Sequence, residues 1–412
     1  MHGTTTIYPA DETASGARAR TGRELAGPLR ILYSFPDTLG APGIGTTAWN
    51  QVRTLAGLGH EVDVYATALA REVPGARRVV RTLTLAGKRI PHRALGRARA
   101  YRYHDLRVAR ALRSTGADYD VVHCWPRATV RTAEAARATG AASVREAPNT
   151  HTAYAYERVA AESERLGLEQ PRGHSHTDDA EALALEEREY EAVDLVAVPS
   201  EFVRRTFLQR GFPAEKLGLH QFGFDRSRFP APEGVRPHAD GLRAVFVGSC
   251  EPRKGLHYAL EAWVASGAAG RGTFTICGDF YPGYRPLLEQ WLRHPSVDVR
   301  GYVSDVAELM RGSDVLLLPT IEEGSALVTY EAQACGCVPV VSEAAGARCT
   351  HLEDALVHGP GDVAALTEHL RTLDGDRDLL ERLRAATLRR RESLTWEQGA
   401  RELDGIYREL LA

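Results

Sequence analysis

Leu316 to Val341 reads L-L-L-P-T-I-E-E-G-S-A-L-V-T-Y-E-A-Q-A-C-G-C-V-P-V-V. The apolar run Val315–Leu318 predicts a buried strand that ends at Pro319. Glu322 and Glu323 make a short acidic turn, and Gly324 and Ser325 open a helix. Glu331 falls eight positions after Glu323, Gly336 stops the helix, and Val338–Val341 predicts a second buried strand. The stretch is one strand–helix–strand unit, with one carboxylate at the helix mouth and another two turns inside it. Open α/β sheets bind ligands at such strand ends. The unsatisfied N–H groups of a helix start suit a diphosphate, and ionised carboxylates suit sugar hydroxyls.

The same alternation extends in both directions. Toward the N-terminus, strands are expected at Leu29–Phe35, Glu61–Tyr65, Tyr119–Cys124, Ala142–Glu146 and Leu195–Pro199. A helix is expected after the first strand, and another over the acidic stretch Asp178–Glu191. Pro230 to Gly241, P-A-P-E-G-V-R-P-H-A-D-G, is the linker candidate. A second series follows, with strands at Leu242–Val247, Thr273–Cys277, Val297–Arg300, Val315–Leu318 and Val338–Val341. Repeated alternation argues a parallel sheet in each half. Residues 1–27 lack an apolar core and are expected to form a disordered leader.

Composition narrows the function classes. A chain of 412 residues supports two or three domains. Hydrophobic content of 43% and charged content of 25% are ordinary for a globular protein. A net charge of −3 gives no case for nucleic acid or an anionic membrane as the main partner. No apolar run approaches transmembrane length. The six cysteines are scattered (Cys124, Cys250, Cys277, Cys335, Cys337 and Cys349), so free thiols in a reducing cytoplasm are expected. The C-G-C at Cys335 and Cys337 has the wrong spacing for a zinc knuckle. His174-Ser175-His176 with Asp178 and Asp179 reads as a polar insertion rather than a metal site, and no D-x-D motif is present.

Two glutamates eight apart are common on solvated helix faces, but this pair lies between two apolar strands with Gly-Ser at the helix start. In that context Glu323 to Glu331 resembles the E-x7-E segment of retaining family-4 glycosyltransferases. The resemblance implies the GT-B fold, an α/β architecture of two Rossmann-like parallel-sheet domains facing across a cleft. It implies an acceptor-binding domain over 28–228, joined by a crossing helix at 393–412, and a nucleotide-sugar-binding domain over 241–392. It implies a nucleotide-sugar co-substrate, UDP-linked, with no separate cofactor.

Three further segments complete the expected site. Val245–Leu256 reads V-F-V-G-S-C-E-P-R-K-G-L, a strand, a glycine turn and the basic pair Arg253 and Lys254. Cations at a helix N-terminus oppose the macrodipole, which points to an anionic ligand. The family's G-R-x-x-x-x-K-G is kept at Gly248, Lys254 and Gly255, but Ser249 replaces its first Arg. Gly43 to Ala48 matches the G-x-G-x-x-A dinucleotide fingerprint. A dehydrogenase is rejected because a loop separates Phe35 from Gly45, and because Ala66 and Thr67 supply no acid for a ribose. The resemblance instead makes this a loop over the donor phosphates and acceptor, with Gly45 at the donor. His151, in A-P-N-T-H-T after a strand, falls where the family places an active-site histidine. His123, Arg145 and Glu146 are rivals for the same region. Gly278 and Asp279 turn the chain near the nucleotide, and the resemblance places the base at Tyr302 and Val303.

The expected activity is hexosyl transfer to an acceptor hydroxyl with retention, by a front-face route. Lys254, Arg253 and the N–H groups of Gly324, Ser325, Ala326 and Leu327 would receive the charge on the leaving diphosphate. Glu323 would orient the sugar, and Glu331 would hold the ribose. A covalent route through Glu323 stays open, as does the choice of a natural product, nucleoside, carbohydrate or lipid acceptor. The alternatives are a non-catalytic nucleotide-sugar-binding protein, which would not hydrolyse donor, and a GT-B nucleotide-sugar epimerase, which would form product without an acceptor.

Overall fold

The computed structural model describes residues 27–85, 88–90, 95–114, 118–170, 176–232 and 240–412. The leader expectation therefore falls almost wholly outside the described residues, as does most of the linker candidate. The chain forms two compact units. The first comprises residues up to Thr152, Asp179–Gln221 and Gly399–Ala412; the second comprises Ala153–Asp178 and Phe222–Gln398.

The first unit holds a seven-stranded sheet of β1 (Arg30–Leu39), β2 (Glu61–Leu69), β3 (Arg78–Arg81), β4 (Val121–Cys124), β5 (Ala142–Glu146), β6 (Leu195–Val198) and β7 (Leu217–Leu219). Their order is β3-β2-β1-β4-β5-β6-β7, and every pairing is parallel. Four-residue runs such as V-V-H-C and L-V-A-V are buried throughout because helices cover both faces. β1 continues past Phe35 to Leu39 through a register shift, and the helix Ile44–Gly57 starts soon after it. The Gly45 turn therefore follows its strand more closely than the sequence suggested, and the first ground for rejecting a dinucleotide fold falls. The second stands: β2 ends A-T-A-L, without an acid.

The second unit holds β8 (Arg243–Val247), β9 (Thr273–Cys277), β10 (Val297–Gly301), β11 (Val315–Leu318), β12 (Val338–Ser342) and β13 (Leu356–His358). Their order is β10-β9-β8-β11-β12-β13, again all parallel. The first strand in sequence, β8, lies between β9 and β11, so the winding direction reverses at the β8–β11 boundary. The C-terminal ends of these two strands mark the topological switch point, the usual ligand position in such sheets. Leu316, Leu317 and Leu318 have no exposed surface. Each such side chain contributes about 1.5–3 kcal/mol, which fixes where the loop after β11 begins.

Two segments are divided between the units. Ala153–Asp178 belongs to the second unit, although nothing in its composition separates it from the flanking sequence. Leu166 and Leu168 pack on the second core, and Glu162 accepts from the Tyr258 hydroxyl at 3.0 Å and pairs with His257 at 2.8 Å. The last helix, Trp396–Leu411, has Trp396 in the second core and Leu403, Ile406 and Tyr407 in the first.

Gly255 is a tight backbone point between the loops after β8 and β11. It has φ +69°, and a Cβ there would lie 2.0 Å from the Pro319 carbonyl oxygen. Gly255→Ala should separate the β8 and β11 loops and destabilise the chain by at least the ~1–2 kcal/mol of a left-handed non-glycine backbone. Denaturant unfolding checks this; a midpoint equal to wild type would show that the two loops do not depend on each other.

Candidate active site

The loops after β8 and β11 are joined by the backbone of Arg253. Its carbonyl oxygen accepts from Ile321 N at 2.9 Å and from Thr320 Oγ1 at 2.7 Å. The Thr320 carbonyl accepts in turn from Ser342 Oγ at the end of β12, at 2.5 Å. Three strand ends are thus fixed to one another before any charged side chain is considered.

The Arg253 side chain turns inward. Its Nη1 donates to the Glu322 carbonyl at 2.9 Å and lies 3.3 Å from carboxylate oxygens of both Glu322 and Glu323; its Nη2 donates to Glu251 at 3.0 Å. Arg253 is 9% exposed. These contacts correct its expected role: the guanidinium that was to clamp a phosphate is occupied by three glutamates and holds the loops together. Ser249, where the family pattern carries an Arg, is exposed and adds no cation.

Lys254 is placed differently. Its ammonium contacts the Glu323 carboxylate, and both side chains keep some exposed surface. Burial, with help from the Arg253 guanidinium, pushes Lys254 down to about 7, while Glu251 and Glu322 pull it back up. The direct Glu323 contact also favours the ammonium form. Lys254 and Glu323 therefore form a charged pair at the rim of a largely closed cluster.

The helix after this turn is Leu327–Ala334, and its N-cap Ala326 supplies no side-chain cap. The Ala326 N–H is taken by the Ala345 carbonyl at 3.0 Å, and the Thr329 N–H by the Ala326 carbonyl at 2.9 Å. Helix geometry leaves the N–H groups of Leu327 and Val328 for an anion. The expected set of N–H donors is therefore displaced by about one residue. Ser325 is 5% exposed, and its hydroxyl is engaged with Tyr330 Oη at 2.8 Å and the Gly346 carbonyl at 3.0 Å, so it supports the turn. Gly324 is buried within the turn.

Glu331 lies one turn inside the same helix. It is half-buried, and its carboxylate accepts no hydrogen bond from any described residue. Burial pushes its carboxyl up to about 7, against the pull of Arg228. Hydroxyl donors from a ligand would satisfy this carboxylate. Gly248 and Gly278 meet at the ends of β8 and β9, where a Cβ on Gly278 would lie 1.8 Å from the Gly248 carbonyl oxygen. Tyr302 follows β10 and is 79% exposed, with Val303 beside it. A groove against the helix Val306–Gly312 is lined by Arg243, Thr275, Arg300, Val303 and Glu308; of the expected donor residues it includes Val303 alone.

Gly45 and His151 belong to the first unit. Gly45 sits in the first turn of the helix Ile44–Gly57, where a Cβ would meet the Thr38 carbonyl oxygen at 2.5 Å. His151 departs from its expected setting. It has no exposed surface, and its ring packs on Tyr190 and Phe207 at centroid distances of 5.2 and 5.0 Å. Burial, then the nearby Arg210 and Arg145, pushes it down to about 3, so its imidazole is neutral. Its rivals are also buried. Arg145 bonds Glu186 and Glu189 at 2.7 and 3.1 Å. Glu146 bonds His220 at 2.9 Å and Gln51 at 3.0 Å. His123 bonds Tyr407 at 2.8 Å. An apolar strand followed by a polar residue marked all of these positions, and that pattern cannot separate an interior network from a ligand site.

The sequence reading placed His176 in a polar insertion, and the structure buries it. It lies 3.4 Å from the Glu322 carboxylate and is 8% exposed. His174 and Ser175 lie outside the described residues, while Asp179 caps the helix Ala180–Ala192 by accepting from Ala182 N at 3.0 Å.

Residues 42–228 match the model of Glycosyltransferase Family 4. Residues 241–376 match that of the group 1 glycosyl transferases. Together these matches support a glycosyltransferase of GT-B architecture. Among curated proteins, an O-antigen chain mannosyltransferase B of Escherichia coli is 24% identical over 55% of this chain and 64% of its own length. A D-inositol 3-phosphate glycosyltransferase of Jonesia denitrificans is 30% identical over 42% of this chain and 44% of its own. The chain thus spans roughly half the length of these relatives. The fold matches Anabaena HepE solved with UDP (TM-score 0.64, 18% identity) and a sucrose-phosphate synthase of Thermosynechococcus elongatus (TM-score 0.67, 18% identity). Each comparison covers 92% of this chain and 99% of the other.

The raised carboxyl of Glu331 has a consequence for stability. The folded protein holds that proton at pH values where the unfolded chain has released it, so stability is lost as pH rises from about 4.5 through about 7. Glu331→Gln should therefore unfold at a higher temperature than wild type at pH 8 and at nearly the same temperature at pH 4. Equal unfolding at both pH values would show that Glu331 is not a desolvated acid.

Proposed function

We propose that the chain is a retaining glycosyltransferase that moves a sugar from a UDP-linked donor to an acceptor hydroxyl by a front-face route. The observation carrying this reading is the arrangement at the β8–β11 switch point. A rim lysine on the loop after β8 faces the loop after β11, which leads into a helix start without a side-chain cap and a carboxylate one turn further on. In this reading the diphosphate lies against Lys254 and the Leu327 and Val328 N–H groups, and the ribose diol donates to Glu331. The UDP bound in the Anabaena HepE structure supports the choice of nucleotide.

Without donor, Lys254 and Glu323 satisfy each other. An arriving diphosphate competes for the ammonium and frees Glu323 to accept from a sugar hydroxyl. The bond from the anomeric carbon to the phosphate oxygen then breaks, and the acceptor oxygen attacks on the same face. The acceptor proton passes to the leaving phosphate oxygen, so no separate base is needed. Lys254 and the helix N–H groups would receive the charge growing on that oxygen, and such preorganised contacts act most strongly in the transition state. Arg253, held by Glu251, Glu322 and Glu323, positions the site without touching the donor. His151 has no catalytic part here; its role is to pack the first unit.

Turnover and donor binding, measured side by side, test these roles. Glu323→Gln should bind UDP at least as tightly as wild type, because Lys254 loses its internal partner. Its turnover should fall by about 10²–10³, the scale for one preorganised contact. Wild-type turnover in Glu323→Gln would remove the sugar-facing role from this residue. Charge compensation comes from Lys254 and backbone N–H groups, so transfer should continue in excess EDTA; loss of transfer restored by Mn²⁺ would contradict that assignment.

A further inference from the structure

The cations around the β8–β11 switch point are mostly spoken for. Lys254 faces Glu323, Arg253 is turned inward among glutamates, and Ser249 carries no charge. A nucleoside diphosphate brings more negative charge than Lys254 alone offsets. A second cation stands on the segment Phe222 to Phe229 of the second unit, F-G-F-D-R-S-R-F.

Phe224 and Phe229 are buried in the core of that unit, and Asp225 closes a turn between them. The Asp225 carbonyl accepts from Arg228 N at 3.1 Å and from Phe229 N at 3.0 Å, and its carboxylate accepts from Ser227 N at 2.9 Å. Arg391 ties this turn to the helix Leu327–Ala334. Its Nη2 donates to the Phe229 carbonyl at 2.5 Å, and its Nε donates to the Ala334 carbonyl at 3.2 Å. Ala334 is three positions after Glu331, so the two are neighbours on the helix surface. Arg228 is therefore held beside the helix that carries Glu331.

The two arginines of the turn differ. Arg226 pairs with Glu392 at 2.6 Å and Glu397 at 3.3 Å. Arg228 is exposed, lies over the Phe229 ring at 5.5 Å from its centroid, and makes no ion pair or side-chain hydrogen bond with any described residue. Its charge draws the Glu331 carboxyl toward ionisation, yet the two side chains form no ion pair. Such a cation and carboxylate are bridged by a ligand that accepts at one end and donates at the other.

We propose that Arg228 binds the α-phosphate of the nucleotide, the phosphate carried by the same ribose whose hydroxyls donate to Glu331. The assignment rests on the reading of Glu331 as the ribose acceptor. The diol and the α-phosphate hang from one sugar ring, a separation that a long arginine side chain spans. A guanidinium offers its fork to two phosphate oxygens, and stacking on Phe229 restricts the side chain before the ligand arrives.

Affinities of the full chain for uridine, UMP and UDP, measured side by side, test this. Arg228→Ala should weaken UMP and UDP alike, by about ten- to a hundredfold, the scale of a hydrogen bond to a charged group. Its uridine affinity should equal wild type, which also shows that the variant is folded. Arg228→Lys keeps the charge without the fork and should recover part of the loss. Unchanged UMP affinity in Arg228→Ala, loss of uridine binding in step with UMP, or an Arg228→Lys no better than Arg228→Ala would overturn the assignment while leaving the nucleotide site in place. A wild-type chain that binds none of the three would overturn the nucleotide site as well.

Discussion

The second unit depends on how Arg253 is held. Its carbonyl fixes the loop after β11, its guanidinium collects Glu251, Glu322 and Glu323, and Gly255 beside it lets the two loops close to a distance no side chain would permit. A buried cation among carboxylates contributes little net stability, but losing one member leaves uncompensated charge worth about 3–5 kcal/mol. That asymmetry is what fixes the geometry of the rim. With Arg253 committed inward, only Lys254 and Glu323 remain at the surface of the cluster, each holding the other until a ligand intervenes.

Much of this was legible in the chain. The strands Thr273–Cys277, Val315–Leu318 and Ala142–Glu146 were read to the residue, because apolar runs between breakers leave little freedom. β3 and β7 were missed: R-V-V-R is an edge strand with exposed ends, and L-G-L is too short to carry a period. The pair Glu323 and Glu331 and the cation Lys254 were singled out by their place beside apolar strands and by the family resemblance. The Lys254–Glu323 contact was not legible, because it depends on how the two loops fold against each other. Arg253 and Ser325 look like ligand residues in sequence and are internal in space. Glu331 looks like any helical glutamate and lacks a partner.

His151 shows the same limit from the other side. A strand end followed by a histidine is a reasonable pointer to a site, yet packing against Tyr190 and Phe207 makes this one an interior residue. Burial of several polar groups together, as with Glu146, His220 and Gln51, arises from contacts between distant strands, to which local pattern is blind.

The most direct measurement is a crystal structure of the chain with UDP bound. The account predicts phosphate oxygens within hydrogen-bond distance of Lys254 Nζ and of the Leu327 or Val328 N–H, with the ribose hydroxyls on the Glu331 carboxylate. A nucleotide seated instead in the groove beside Val306–Gly312, or one whose diphosphate leaves the Lys254–Glu323 pair intact, would contradict it.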